Sequence, residues 1–324
     1  MSELRPIRTS LRLLLAIASG LLLAQVPAQE SPPAAPASEG GAAAPIDDEI
    51  IVRGRRLEDI ENDLRIHVHD FIGEVVATPP GRGFARWHGR VCVGVYNLES
   101  RAAQYIADRI SRLALDVGLT PGEPGCQPGV NIVFSTNARE TASAMVENEP
   151  RTFMPVGGYA GADLGRIALA DFADSEKAVR WWHVSLPVDA RTGGPAIETS
   201  KLCGEAFCPP YVNVAGPSRL HNGTRDDLMY VIIVVDATQL KQKTWQQIGD
   251  YLAVISLAQI DPSANPAAFD SILNLFTNPA AYSGLTDWDR SYIRALYAID
   301  QERLTSLQTN QIVSRIVEEE LQHR

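Results

Sequence analysis

Two short clusters hold the side chains best suited to chemistry. His67-Val68-His69-Asp70 brings two imidazoles and a carboxylate together. Such groups are common ligands of zinc and related ions. On a helix, however, residues two apart face different directions, so these imidazoles cannot easily share one ion. Asp63, His67 and Asp70 do share a helical face, where a solvated surface with an ion pair is the simpler reading. Arg180-Trp181-Trp182-His183 is the densest aromatic cluster. Arg180, Trp181 and Trp182 could line a cleft that stacks a ring or a sugar. His183 could carry protons near neutral pH. The same residues serve equally well as core aromatics at the start of a strand. His88, in Arg86-Trp87-His88, and His221 are the other imidazoles weighed as catalytic groups.

The familiar catalytic signatures are missing. No G-x-S-x-G elbow occurs, which argues against an α/β-hydrolase serine. Gly157-Gly158 and Gly193-Gly194 lack the lysine and the strand–loop–helix setting of a phosphate loop. Asp226 and Asp227 are adjacent and better placed to cap a turn than to flank a glycosidic bond. No metal ion and no cofactor is expected, and the balance leans away from an enzyme.

The N-terminus supplies an address. Arg5, Arg8 and Arg12 precede a short apolar core, Leu13–Ala24, and Val26-Pro27-Ala28 offers small residues for cleavage. This is the pattern of a secretory signal, residues 1–28, and it predicts a periplasmic or secreted protein. The core is shorter than the ~20 residues of a membrane span, and no later apolar run is long enough to be one. Removing residues 1–28 takes away three Arg and one Glu, which moves the net charge from −10 to −12. An acidic chain has no electrostatic reason to bind nucleic acid.

Four cysteines remain: Cys92, Cys126, Cys203 and Cys208. An even number in an exported protein favours disulfides. Three pairings are possible, and closing the more local loops favours Cys92–Cys126 with Cys203–Cys208. A four-cysteine zinc site fits poorly, because only Cys203-x-x-x-x-Cys208 approaches the short paired spacing it needs.

The elements that would position these groups follow from periodicity. Residues 29–48 are rich in Ala, Pro, Ser and Gly and read as a disordered linker. A single α+β domain is expected over 57–324. Helical spacing predicts a helix from Arg56 to Val76. A strand at Val91–Tyr96, a helix capped by Ser100 and a strand at Asn131–Ser135 form a βαβ unit with parallel strands. In that helix Asp108, Arg109, Arg112 and Asp116 are expected on the solvent side. Another strand is expected at Trp182–Val188, then a long stapled loop over 189–226. Leu228–Val235 is a continuous apolar run, as in a strand buried on both faces. Thr244-Trp245-Gln246-Gln247 is a capping box, and the helix it opens is apolar almost all round, hence central and buried. It is expected to run to Asp261-Pro262. Helices are expected near 266–277, 286–299 and 300–321, the second capped by Thr286 with Asp289 at N3.

That order of elements resembles the layout of zincin-like metallopeptidases. Gly284-Leu285-Thr286-Asp287-Trp288-Asp289, with Ile293-Arg294-Ala295-Leu296-Tyr297, is similar to the segment after the central helix in uncharacterised exported alphaproteobacterial proteins. The resemblance implies a mixed sheet with a central helix carrying H-E-x-x-H, whose histidines bind zinc and whose glutamate activates water. This helix has neither His nor Glu. Tyr251, Leu252 and Ile255 stand where one register would place His, Glu and His. The expected function is therefore a non-catalytic envelope protein that binds or scaffolds, gripping an extended peptide or an envelope protein. A divergent hydrolase using His183, His88 or His221 is the alternative.

Residues 49–56, Glu-Ile-Ile-Val-Arg-Gly-Arg-Arg, also resemble the TonB box of outer-membrane receptors. That resemblance implies that Glu49, Ile50, Ile51 and Val52 extend and add as a strand to a TonB-like protein.

Overall fold

The computed structural model describes residues 48–78, 82–154, 164–196 and 222–322, and of 48–56 the backbone alone. The expected signal sequence, most of the expected linker, Cys203, Cys208 and His221 lie outside the described residues. Glu49–Arg324 form one compact unit. The chain is an α+β protein with a mixed sheet.

Helix α1 spans Asp48–Val75. It begins well before Arg56, so the extended strand expected at Glu49–Val52 is helical instead. Two short segments follow, β1 (Arg90–Val91) and β2 (Val93–Tyr96). Helix α2 covers Ser100–Asp116 and buries Ile106, Ile110, Leu113 and Ala114. Its N-cap is Glu99, not Ser100: the carboxylate accepts from the Arg101 and Ala102 amides at 3.0 and 3.2 Å. Gly118, at φ +81°, turns the chain out of the helix in the left-handed region that glycine favours. Then come β3 (Thr120–Pro121) and β4 (Val130–Ser135).

Helices α3 (Ala138–Asn148), α4 (Pro150–Phe153) and α5 (Gly165–Asp174) lead to β5 (Val179–Asp189) and β6 (Thr224–Asp236). Helix α6 (Trp245–Leu257) follows, then α7 (Asp287–Ala298) and α8 (Thr305–Gln322). Between α6 and α7 the expected helix is replaced by two 3-10 turns, Pro266–Ala268 and Ile272–Asn274. The Asn274 amide donates to the carbonyls of Pro266 and Phe269 at 3.0 and 2.9 Å. A side chain that binds backbone carbonyls in this way competes with helix propagation.

The main sheet has the order β2-β4-β6-β5. Strands β2, β4 and β6 are parallel, and β5 runs antiparallel to β6 at the edge. Alternation along each strand sorts side chains to two faces. Val130, Ile132, Phe134, Val231, Ile233, Val235 and Trp181 pack with α2 and α6 in the larger core. Trp182, Val184, Ile232 and Val234 pack on α3–α5 in a smaller one. Helix α6 is buried from Gln247 to Leu257. It stops at Leu257, short of Asp261-Pro262, because Ala258 turns extended and Ile260 bridges Val76. Both expected capping boxes form, Thr244 with Gln247 and Thr286 with Asp289.

Cys92 and Cys126 form a disulfide with Cα atoms 6.1 Å apart. It ties the start of β2 to the loop entering β4. Gly122 packs against this bridge; a Cβ there would collide with the Cys126 sulfur. Among the described residues no helix is long and apolar enough to cross a membrane.

Candidate functional site

Helix α6 is held by polar groups from four other elements. Its last carbonyls have no partner within the helix, and a buried helix end needs donors from elsewhere. The His183 ring nitrogen Nε2 lies 2.7 Å from the Ile255 oxygen. Trp87 Nε1 donates to the Ser256 oxygen at 2.7 Å, and the Tyr297 hydroxyl donates to the Leu257 oxygen at 2.8 Å. Just beyond, Trp181 Nε1 donates to the Ile260 oxygen at 2.8 Å. A carbonyl only accepts, so His183 carries its proton on Nε2 and donates it.

The lone acid of this helix is equally committed. Asp250 is buried and paired with Arg109 of α2, whose Nε donates at 2.7 Å. The Leu285 amide donates to its other oxygen at 3.0 Å. Arg109 therefore departs from the solvent side expected for it. Gly284 leaves room for this contact, since a Cβ there would meet Asp250 Oδ2 at 2.5 Å.

Burial lowers the His183 pKa to about 4, against the opposing pull of its bond to Ile255. The ring is neutral at pH 7 and committed to packing. His88 is exposed ahead of β1. The two imidazoles lie in different settings, one in the core and one at the surface. His67 is half-buried, its ring 5.0 Å from Phe269 and 5.1 Å from Trp288. His69, Asp63 and Asp70 are exposed. Among the described residues no three His, Cys, Asp or Glu side chains gather as metal ligands.

Asp226 and Asp227 do not cap a turn. They point to opposite sides of β6. Asp226 is buried and forms an ion pair with Arg82, while Asp227 pairs with Arg225. The strap 82–87 is thereby fixed to the sheet, and Gln301 reinforces it by donating to the Phe84 and Asp226 carbonyls at 3.0 and 2.8 Å.

Strand alternation divides the aromatic cluster. Arg180 is buried and donates to the carbonyls of Phe172, Ala173 and Lys177 at 3.3 to 3.4 Å. Trp182 faces α4 and donates to the Phe153 oxygen at 2.8 Å. Only Trp181 reaches a cleft. That cleft has a volume of about 390 Å³ and opens between the start of β5, helix α6, the turn 237–243 and the segment 260–277.

The floor of this cleft is an aromatic ladder. The Trp181 and Tyr251 rings are 6.3 Å apart, and Tyr251 meets Phe276 edge-on at 5.1 Å. Lys243 Nζ lies 4.9 Å above the Phe276 ring. Tyr251 is only 6% exposed. Burial alone raises its pKa, and its hydroxyl forms no hydrogen bond among the described residues. At the rim, Lys177 is paired with Asp171 and Glu176 with Arg139, and Asp261 accepts from the Ser263 amide and hydroxyl. Of these rim charges, Asp261 and Lys243 make no ion pair among the described residues. The Lys243 ammonium contacts only the Gln239 and Lys241 carbonyls, at 3.3 and 3.5 Å.

Three of these groups escaped the sequence reading. Tyr251 counted there only as core filling; its signal is that it carries the one phenol in an otherwise aliphatic run. Lys243 precedes the capping box, and Phe276 falls in the stretch expected to be helical. A second cleft of about 600 Å³, on the opposite face of the sheet, is lined by Tyr96, Asn131, Met145 and Met229 among others and holds no charged side chain. No protein-family model, curated protein or solved structure matches the chain.

Proposed function

We propose that this chain is an exported binding or scaffolding protein of the bacterial envelope, on a layout like that of the zincin-like metallopeptidases. Its central helix serves packing instead of hydrolysis. The observation that carries the reading is the use made of the groups a peptidase would spend on chemistry. Tyr251, at the position of the first expected zinc ligand, forms the floor of a cleft. Leu252 and Ile255 are buried in the core, and His183 and Asp250 hold the helix in place. The cleft lies beside the antiparallel edge strand β5 and suits a side chain of an extended peptide. The cleft combines an apolar floor with a polar rim, and its volume falls within the range of ligand sites.

The test uses the mature chain, residues 29–324. Metal content is measured by atomic spectroscopy, and a mixture of unstructured peptides is incubated with the protein and read by mass spectrometry. Retention of intact peptides without stoichiometric zinc is the expected result. One tightly held zinc per chain, with cleavage that a chelator stops, would overturn the reading. Recruitment of a TonB-like protein is less well supported, because residues 49–52 are helical and would have to unwind before adding to another sheet.

A further inference from the structure

We infer that the Trp181–Tyr251–Phe276 cleft is a receptor for a peptide C-terminus ending in tyrosine. The inference rests on the peptide-binding reading and gives it a specificity. The three rings form one continuous apolar surface, and aromatic pairs favour such edge-to-face and offset contacts. A planar side chain entering the cleft extends that ladder.

Two polar features then select the occupant. The first is the Tyr251 hydroxyl, which belongs to a largely buried residue and has no hydrogen-bond partner among the described residues. An apolar ring seated over it would seal it away unpaired, whereas a phenol restores the missing hydrogen bond. The second is Lys243. Its ammonium stands at the cleft rim over Phe276 and makes no ion pair among the described residues, while Glu176 and Lys177 are paired with Arg139 and Asp171 and Asp261 is engaged by Ser263. Lys243 therefore offers an anion a partner, and a chain-terminal carboxylate lies next to the last side chain by covalent geometry. A cationic or phosphate-rich ligand fits less well, since one ammonium is available and no second cation converges with it.

The experiment titrates the mature chain with four acetylated tetrapeptides by isothermal calorimetry. They end in tyrosine acid, tyrosine amide, phenylalanine acid and alanine acid. Tyrosine acid should bind tightest, with the amide and the phenylalanine peptide each about tenfold weaker and the alanine peptide weaker still. In Lys243→Met, which keeps the stem over Phe276, the acid should fall to the level of the amide and the amide should not change. In Tyr251→Phe, tyrosine should lose its advantage over phenylalanine. Equal binding of acid and amide, or variants that bind like the parent, would overturn the inference while peptide binding itself stood. Absence of binding by all four peptides would overturn the inference; retention of other intact peptides would then preserve the broader reading.

Discussion

Replacing His183 by glutamine tests whether the buried imidazole is structural. In the folded chain its pKa is about 4, against an ordinary value of 6.5. Between those two values the unfolded chain binds a proton that the folded chain refuses. The stability contribution is thus intact above pH 6.5, declines as pH falls, and is fully lost below pH 4. From the two pKa values, lowering the pH from 7.5 to 5.0 removes about 2 kcal/mol, and the full loss is about 3 kcal/mol. Glutamine can still donate to the Ile255 oxygen but does not titrate. Urea unfolding at both pH values, for parent and His183→Gln, isolates this group, because all other titrating residues cancel in the difference. The variant should be less stable at pH 7.5 from lost packing, yet lose about 2 kcal/mol less than the parent on acidification. Parallel losses in both proteins would show that His183 is not held neutral in the core, and the assignment of its proton to Ile255 would fall with it.

Other perturbations address the remaining supports. Arg109→Met strands the Asp250 carboxylate in the interior and should cost about 3–5 kcal/mol in chemical denaturation; adding Asp250→Leu should recover most of it. Gly284→Ala forces a methyl against Asp250 and Gln246 and should lower stability by about 1–3 kcal/mol. Tyr251→Phe deletes a hydroxyl that has no hydrogen-bond partner among the described residues, so thermal unfolding should be unchanged or shifted upward; a large loss would mean that the hydroxyl is bonded after all. Replacing Cys92 and Cys126 together by serine opens a loop with a sequence separation of 34, which on the loop-entropy model costs about 4 kcal/mol of unfolding free energy.

Much of this protein is legible along the chain because it depends on near neighbours. The capping boxes at Thr244 and Thr286 form as read, since each closes over three residues. The apolar girth of residues 248–257 announces a buried helix, and the strand–helix–strand spacing announces a parallel pair. The Cys92–Cys126 link follows from loop length. Tertiary structure decided what the polar groups do. Arg109 turns inward because Asp250 waits 141 residues later. Arg180, Trp181 and Trp182 read as one cluster, but a strand's two-residue period sends them to opposite faces. Tyr251, Phe276 and Lys243 become one surface only after the chain past α6 folds back over β5. Capping and periodicity are short-range and written in order; the pairing of a buried charge or the lining of a cleft depends on which distant segments meet.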